Sequence, residues 1–429
     1  MILTFIGHGY VGLVTAAVFA DFGNTVYVVG HTPEKIEKLK KGIVPFYEPG
    51  LEELVKKNVS AKRLIFTLDY KQSVPKSDIV FIAVGTPSTK TGDADLSTVL
   101  EVAEKVGKNL EGYTVVATKS TVPTGTNRKV KKILDNSKPD GAEVDYASVP
   151  EFLREGSAIL DTTKPDRVVI GTESKRAQDL LIKVHEPINA PLVLTNFETA
   201  ELIKYAANSF LAMKISYANT IAKLSELLGA DALRVLEGIG KDKRIGDMFL
   251  SPGPGYGGSC FPKDVKALIS IAKDVDYSFS LLEDVENINH QAKRDIVKKA
   301  RKALGDLRGK KIGILGLAYK ANTDDMRDAP SIDIINLLQN DGAKITAFDP
   351  KAQQNAKTVL KDIDYKEDAY SVADGVDLLI ILTEWSEFKE LDINNLKKKM
   401  RALNIIDGRN LYDPERLRKK GFNYIGIGR

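Results

Sequence analysis

The chain has 429 residues, 43% of them hydrophobic and 28% charged, which describes an ordinary folded protein of two or three domains and excludes a disordered or fibrous one. With 62 Lys and Arg against 58 Asp and Glu, its net charge of +4 is too balanced for a nucleic-acid coat. No apolar run reaches the ~18 residues of a membrane span, and no basic stretch precedes the apolar start, so neither a membrane partner nor a signal peptide is expected.

In chain order, Ile2–Ile6 predicts a strand, Gly7-His8-Gly9-Tyr10-Val11-Gly12 a glycine turn, residues 13–22 a helix and Thr25–Val29 a second strand. Strand, glycine turn, helix and strand open a dinucleotide-binding unit, in which the backbone of Gly7, Gly9, Tyr10, Val11 and Gly12 approaches a pyrophosphate at the helix start. Further strands are expected at 79–84, 114–118 and 167–170, separated by helices, in a parallel sheet covered on both faces. Gly85-Thr86-Pro87 and Ser120-Thr121-Val122-Pro123 lie just past strand ends, where such sheets bind ligands. Phe197–Leu228 contains neither proline nor glycine and reads as one long helix, a connector and dimerisation element. The strand–helix rhythm resumes near 306–310, with strands at Lys311–Leu315, Lys344–Phe348 and 376–382 and a helix after Pro330. This second unit lacks G-x-G-x-x-G and offers Gly313, Gly316 and Lys320 instead, so it is expected to hold something other than a dinucleotide pyrophosphate.

Cys260 is the only cysteine, so no disulfide closes within the chain, which fits a reducing cytoplasm. Four scattered histidines give no zinc-ligand spacing, and no metal is expected. Cys260 stands in Gly257-Gly258-Ser259-Cys260-Phe261-Pro262-Lys263-Asp264, with Pro262 suited to a first helical turn. Helix-end amides and the Lys263 charge favour a thiolate there, so the thiol reads as a nucleophile rather than a buried inert group. Lys204 and Asn208, four apart on the long helix, share a face that either polarises a substrate hydroxyl or simply meets solvent. Glu151 in Pro150-Glu151-Phe152-Leu153, and Asp264 four residues after Cys260, are equally open in isolation.

Taken in order, residues 7–13, 120–123, 150–153, 201–208, 257–264, Gly-Leu-Ala-Tyr-Lys at 316–320 and Asp-Gly-Arg at 407–409 closely resemble the UDP-glucose dehydrogenase family over the whole chain. The resemblance implies a four-electron oxidation of UDP-glucose to UDP-glucuronate with two nicotinamide cofactors, through a thiohemiacetal and thioester on Cys260. It places Lys204, Asn208 and Asp264 around the reacting oxygen and water, with Thr121 and Glu151 assisting. Phe152 and Leu153, the loop with Phe249, Leu250, Tyr256 and Gly257, and Lys320 and Arg409 would hold the nucleotide sugar. Arg244 would reach a neighbouring subunit's substrate, implying a homodimer or higher homo-oligomer. Thr86, Thr121, Glu155, Lys263 and Arg327 would face the cofactor.

The family usually ends its second strand with an Asp for the adenosine ribose, and here that place is Gly30. His31, Thr32 and Lys35 follow, able to contact a 2′-phosphate, so the cofactor is NAD or NADP. Other readings remain: a dehydrogenase for GDP-mannose or a UDP-N-acetylhexosamine, a single-step β-hydroxyacid dehydrogenase, or a non-catalytic nucleotide-sugar-binding protein. The expected architecture is α/β, with two Rossmann-like domains of parallel sheets (1–195 and 306–429) joined by a central helical dimerisation domain (196–305) that includes the long connecting helix.

Overall fold

The computed structural model describes residues 1–89 and 92–429. The chain forms two compact units, Met1–Ala207 with Lys266–Asp276 and Asn208–Val265 with Tyr277–Arg429.

In the first unit, β1 (Ile2–Ile6), β2 (Thr25–Val29), β3 (Leu64–Thr67), β4 (Ile79–Ile82), β5 (Tyr113–Thr118), β6 (Glu143–Ser148), β7 (Val168–Gly171) and β8 (Leu192–Thr195) form one sheet. Its order is β3-β2-β1-β4-β5-β6-β7-β8. Apolar runs such as Ile79–Ile82, buried at every position, suit strands covered on both faces. One face packs on the helices Tyr10–Asp21 and Lys175–His185 through Phe5, Leu13, Phe19 and Leu181. The other packs on Ser97–Gly107 and Thr126–Ser137 through Ile82, Val102, Val116 and Leu134.

The expectation of a wholly parallel sheet needs one correction, because β6 and β7 are antiparallel, meeting at Ser148 and Gly171. A parallel return requires a crossover of a dozen or more residues, usually helical. The connection from β6 to β7, residues 149–167, is long enough, but its one helix, Ala158–Thr163, rises only ~9 Å and does not carry the chain back along the strand, so β7 runs against β6. β6 itself was not foreseen, and β7 is shifted by one residue from the expected 167–170.

In the second unit, β9 (Lys311–Leu315), β10 (Lys344–Phe348), β11 (Ile363–Tyr365), β12 (Leu378–Ile381), β13 (Asn404–Asp407) and β14 (Asn423–Ile425) form an all-parallel sheet ordered β11-β10-β9-β12-β13-β14. It too is covered on both faces, by Ile296, Ile312, Ile334 and Leu338 on one and Val372, Phe388, Leu396 and Leu417 on the other.

The helix Phe197–Leu228 is continuous over 32 residues, ~48 Å at 1.5 Å per residue, as its lack of breakers predicts. It starts in the first unit and ends in the second, as does the chain around Asn208. Among the described residues no helix is long and apolar enough to cross a membrane. No group of three or more His, Cys, Asp or Glu among them is placed to hold a metal.

Candidate active site

In the first unit the glycine turn follows β1 directly. Gly7 has φ +121, and a Cβ there would stand 2.4 Å from the Ala83 carbonyl oxygen beyond β4. A Cβ on Gly12 would lie 2.2 Å from the Gly7 carbonyl oxygen, so glycine at both positions lets the helix Tyr10–Asp21 close onto the turn. Gly9, the cap of that helix, faces open space: nothing lies within 4 Å of where its Cβ would be. A tight turn with one open glycine at a helix start fits a dinucleotide pyrophosphate. Tyr10 donates its hydroxyl to the buried Glu48, and Glu48 also accepts the Gly156 and Ala158 N–H groups at 2.6 and 2.7 Å. Burial, then the bond to Glu48 and the nearby Glu155, push the Tyr10 phenol far above its usual range. Tyr10 is thereby tied to the segment that follows Pro150-Glu151-Phe152-Leu153.

Past the strand ends, Thr86 donates its hydroxyl to the Thr121 carbonyl at 2.8 Å, and Ser120 donates to the Val84 carbonyl at 2.6 Å. These two bonds splice the two turns into one rim. The next turn is held by Glu201 of the long helix, whose carboxylate accepts the Gly125 and Asn127 N–H groups, each at 2.7 Å, at the start of the helix Thr126–Ser137. A carboxylate there complements the helix dipole.

One turn on from Glu201, the Lys204 ammonium lies 3.2 Å from Glu151, with both side chains almost fully buried. Lys204 also sits 5.2 Å from the Phe152 ring centre, and the Leu153 N–H donates to Glu151 at 2.5 Å. Beneath this pair is Lys119, which the sequence reading did not single out. It is 7% exposed, and burial holds its ammonium down to about 8, with the Glu151 charge opposing that shift and the Lys204 charge reinforcing it. A cavity of ≈ 50 Å³ touches Lys119, Glu151, Thr15 and His185. A cavity needs only ~10–15 Å³ of that measure to admit a water molecule. Lys119 follows β5 directly and precedes Ser120 and Thr121, so a charged residue abutting a strand-end motif was the available signal.

In the second unit, Cys260 directly precedes the helix Phe261–Lys273, in which Pro262 occupies the first turn as expected. Its thiol is partly buried, with the Ser259 hydroxyl 3.5 Å from the sulfur. Gly258 has φ +84, and a Cβ there would strike the Tyr319 ring at 2.8 Å. The glycine frame therefore serves a close approach. Asp264 is fully buried, donates its N–H to the Cys260 carbonyl at 2.8 Å and accepts the Asn208 amide at 2.6 Å. Its other oxygen pairs with Lys263 at 2.5 Å, so the cation read as a neighbour of the thiol is bound to a carboxylate.

The loop before Cys260 is pinned on both sides. Gly253 donates its N–H to Asn219 at 2.8 Å, Tyr256 donates its N–H to Asn289 at 2.7 Å, and the Tyr256 hydroxyl meets Glu286. Phe249 adopts φ +65, and its ring and that of Tyr256 lie 6.0 and 6.1 Å from Phe261. Leu250 is buried, and Gly257 abuts the Asp328 carbonyl at 2.2 Å from a notional Cβ. Arg409 donates to the Leu382 and Tyr319 carbonyls at 2.9 and 3.1 Å, alongside Lys320, whose ammonium is 5.5 Å from the Tyr319 ring. Arg244 and Arg327 are exposed, each paired with an Asp two residues earlier, Asp242 and Asp325.

The sequence-predicted residues thus fall into two sets. Gly7 to Gly12, Gly30 to Lys35, Thr86, Thr121, Glu151 to Glu155 and Lys204 belong to the first unit. Asn208, Arg244, the loop from Phe249, Cys260, Lys263, Asp264, Lys320, Arg327 and Arg409 belong to the second. Lys204 and Asn208, one member of each set, lie on successive turns of one helix.

Comparison with known proteins gives three matches in chain order: the NAD binding domain (residues 1–189), the central domain (198–291) and the UDP binding domain (313–414) of the UDP-glucose/GDP-mannose dehydrogenase family. A UDP-glucose 6-dehydrogenase of Rhizobium meliloti is 49% identical over 436 residues, all of both chains. The UDP-glucose 6-dehydrogenase TuaD of Bacillus subtilis is 47% identical over 99% of this chain and 92% of its own. Among solved structures, a UDP-glucose dehydrogenase of Pyrobaculum islandicum superposes with a TM-score of 0.93 at 39% identity, covering 99% of this chain and 97% of that one. With its glycine turn, its glycine-framed cysteine and these full-length matches, the chain belongs to the UDP-glucose/GDP-mannose dehydrogenase family.

Proposed function

We propose that the protein oxidises UDP-glucose to UDP-glucuronate, with Cys260 as the nucleophile of the second half-reaction. The observation that carries this reading is the thiol in its close-packed glycine frame, ahead of a helix whose buried Asp264 holds Asn208. Relatives that match the whole chain at 47–49% identity and act on UDP-glucose favour that sugar over GDP-mannose or UDP-N-acetylhexosamines.

A nicotinamide dinucleotide would be held at the turn from Gly7 to Gly12 and would supply the hydride acceptor for each of two oxidations. In the first, the C6 hydroxyl loses its proton to the Glu151–Lys204 pair and the C6 hydride leaves, giving an aldehyde. The Cys260 sulfur adds to that carbonyl, and Lys204 and Asn208 stabilise the negative oxygen of the adduct. A second hydride leaves C6 and a thioester forms. Water, oriented by Asp264, attacks the thioester and releases the carboxylate and the thiol. Each turnover consumes one water and two oxidised cofactors, and releases two reduced cofactors and three protons. With no histidine among these groups, carboxylate and lysine carry the protons. Thr121 assists from the rim. Phe152, Leu153, Phe249, Leu250, Tyr256, Gly257, Lys320 and Arg409 hold the nucleotide sugar, while Thr86, Glu155, Lys263 and Arg327 face the cofactor.

The cofactor's 2′ group is open to phosphate, so NADP is accepted with kcat/KM within about tenfold of NAD. The protein works in the cytoplasm as three parts, divided near residues 195 and 305. It works as a homodimer or higher homo-oligomer, an assignment supported by Phe210, Tyr217 and Leu224, spaced seven apart on one helix face and 57%, 50% and 49% exposed. Arg244 then reaches the substrate of the second copy.

The test is product stoichiometry over a panel of nucleotide sugars. Two reduced cofactors per UDP-glucose are expected, and one would indicate a single-step dehydrogenase. Cys260→Ser should halt after the first oxidation or accumulate an acyl-enzyme, and steady wild-type turnover to the acid would refute the covalent route.

A further inference from the structure

Gly30, the last residue before the turn after β2, is buried and donates its N–H to the Thr67 carbonyl at 3.0 Å. A Cβ at this position would stand 2.5 and 2.8 Å from two side-chain carbons of Ile36 and 2.9 Å from Nδ1 of His8. Real contacts of that length do not occur, and Ile36 is fully buried. Position 30 is therefore closed to any side chain by Ile36 and His8 together. Nδ1 of His8 has no hydrogen-bond partner although the residue is only 5% exposed, and it points at the space a side chain on residue 30 would fill. The His8 ring lies 5.0 Å from the ring of His31. Burial, followed by the charges of His31 and Lys35, drives the His8 imidazole down to about 4, so cations crowd this corner. Of the carboxylates near this turn, Glu34 lies in the first turn of the helix Pro33–Lys40, Glu37 pairs with Lys40, and Asp69 caps the helix Tyr70–Ser73. Thr32 precedes the helix Pro33–Lys40 without a side-chain capping bond, leaving its hydroxyl available to a ligand.

We propose that His8 is a specificity-determining residue at the adenosine end of the cofactor site: with Ile36 it leaves position 30 no room for a ribose-binding carboxylate and, with His31 and Lys35, it forms a subsite for a 2′-phosphate. This rests on the reading that the first unit binds a nicotinamide dinucleotide. Two imidazoles supply hydrogen-bond donors and the Lys35 ammonium supplies positive charge to a phosphate dianion, which the hydroxyls of an NAD ribose do not need.

The experiment measures binding of 2′,5′-ADP and of 5′-AMP by calorimetry to the full-length protein and to variants. Wild type should bind 2′,5′-ADP at least about tenfold tighter, and His8→Ala should erase most of that ratio. Gly30→Asp alone should lose both nucleotides, because the carboxylate has no room. Gly30→Asp combined with His8→Ala and Ile36→Val should recover 5′-AMP and reject 2′,5′-ADP. His31→Ala, at an exposed position, gives a readout without any risk to folding, and should lower the ratio on its own. If both nucleotides bind with a ratio that neither His8→Ala nor His31→Ala changes, the inference is overturned while the dinucleotide site stands. If neither nucleotide binds wild type, the dinucleotide reading falls with it.

Discussion

The first turn of each sheet is built on the same plan and put to opposite use. Gly7 after β1 and Gly316 after β9 have φ +121 and +94, and each donates its N–H at 2.9 Å to the last residue of the neighbouring strand, Val29 or Phe348. The next residue along that neighbour is Gly30 in the first unit and Asp349 in the second. Asp349 turns inward and accepts the N–H groups of Leu317 and Ala318 at 2.7 and 3.0 Å, and of Lys351 and Ala352 at 2.9 and 2.8 Å. Trp385 adds a fifth donor at 3.2 Å. The second unit thus spends its turn amides on its own carboxylate, whereas the first leaves Gly9 facing open space. A strand order shared by two sheets fixes where a ligand can sit, and the residue at one strand end decides whether the turn is free to take it.

Removing the inward carboxylate should break the comparison most severely. Asp349→Ala strands five donors in a buried turn, at ~1–3 kcal/mol each if unpaired and less than their sum together, so urea unfolding should show a loss of at least about 3 kcal/mol. Asp349→Asn, which keeps an acceptor, should lose roughly half as much. Next come the paired glycines. Gly7→Ala meets a backbone carbonyl, while Gly316→Ala meets the Thr383 side chain, its Cβ also at 2.4 Å. Both carry the positive-φ penalty of ~1–2 kcal/mol, but only Gly7→Ala should raise the cofactor KM as well. An equal effect of the two on cofactor KM would dissolve the distinction.

Lys119 is the first unit's counterpart to Asp349, a buried charge left without comparable compensation. Lys119→Met should leave the melting temperature unchanged or higher, in contrast to Asp349→Ala. It should also lower kcat/KM measurably, because the Glu151–Lys204 pair loses the charge beside it. An unchanged kcat/KM would detach Lys119 from the pair. The smallest effect concerns His185, which burial holds down to about 4. Between its ordinary value near 6.5 and about 4, the unfolded chain binds a proton that the folded one refuses, so stability falls as the solution is acidified through that window. The loss from this group is ~1 kcal/mol between pH 7 and 5.5, and His185→Gln should flatten that part of the curve.

β1, β2, β10 and the long helix could be read from the sequence to the residue, because each is a run free of glycine and proline, and β9 could too although Gly313 interrupts it. β6, with the sequence Glu-Val-Asp-Tyr-Ala-Ser, and the edge strand β8, whose Leu192, Val193 and Leu194 are exposed, carry no such signature. The antiparallel junction depends on the length of a connecting helix, which periodicity does not set. At the site, Cys260, Lys204 and Asn208 stand in compact motifs. Lys119, Glu48 and Asp349 matter through partners distant in sequence: Glu48 meets Gly156 across 108 positions. Gly30 reads in the sequence as a lost carboxylate. In the fold it is packed against Ile36 and His8, so a lone Gly30→Asp substitution is expected to clash there rather than restore a ribose contact.

Cys260 is the only sulfhydryl in 429 residues and is neither fully exposed nor sealed away. Any thiol reagent acting on the native protein therefore has a single address. One adduct mass per chain measures the fraction of intact thiols in a preparation. With Cys260 in the proposed role, the alkylation rate should fall as UDP-glucose is added, and a rate that does not change would place the thiol away from the sugar.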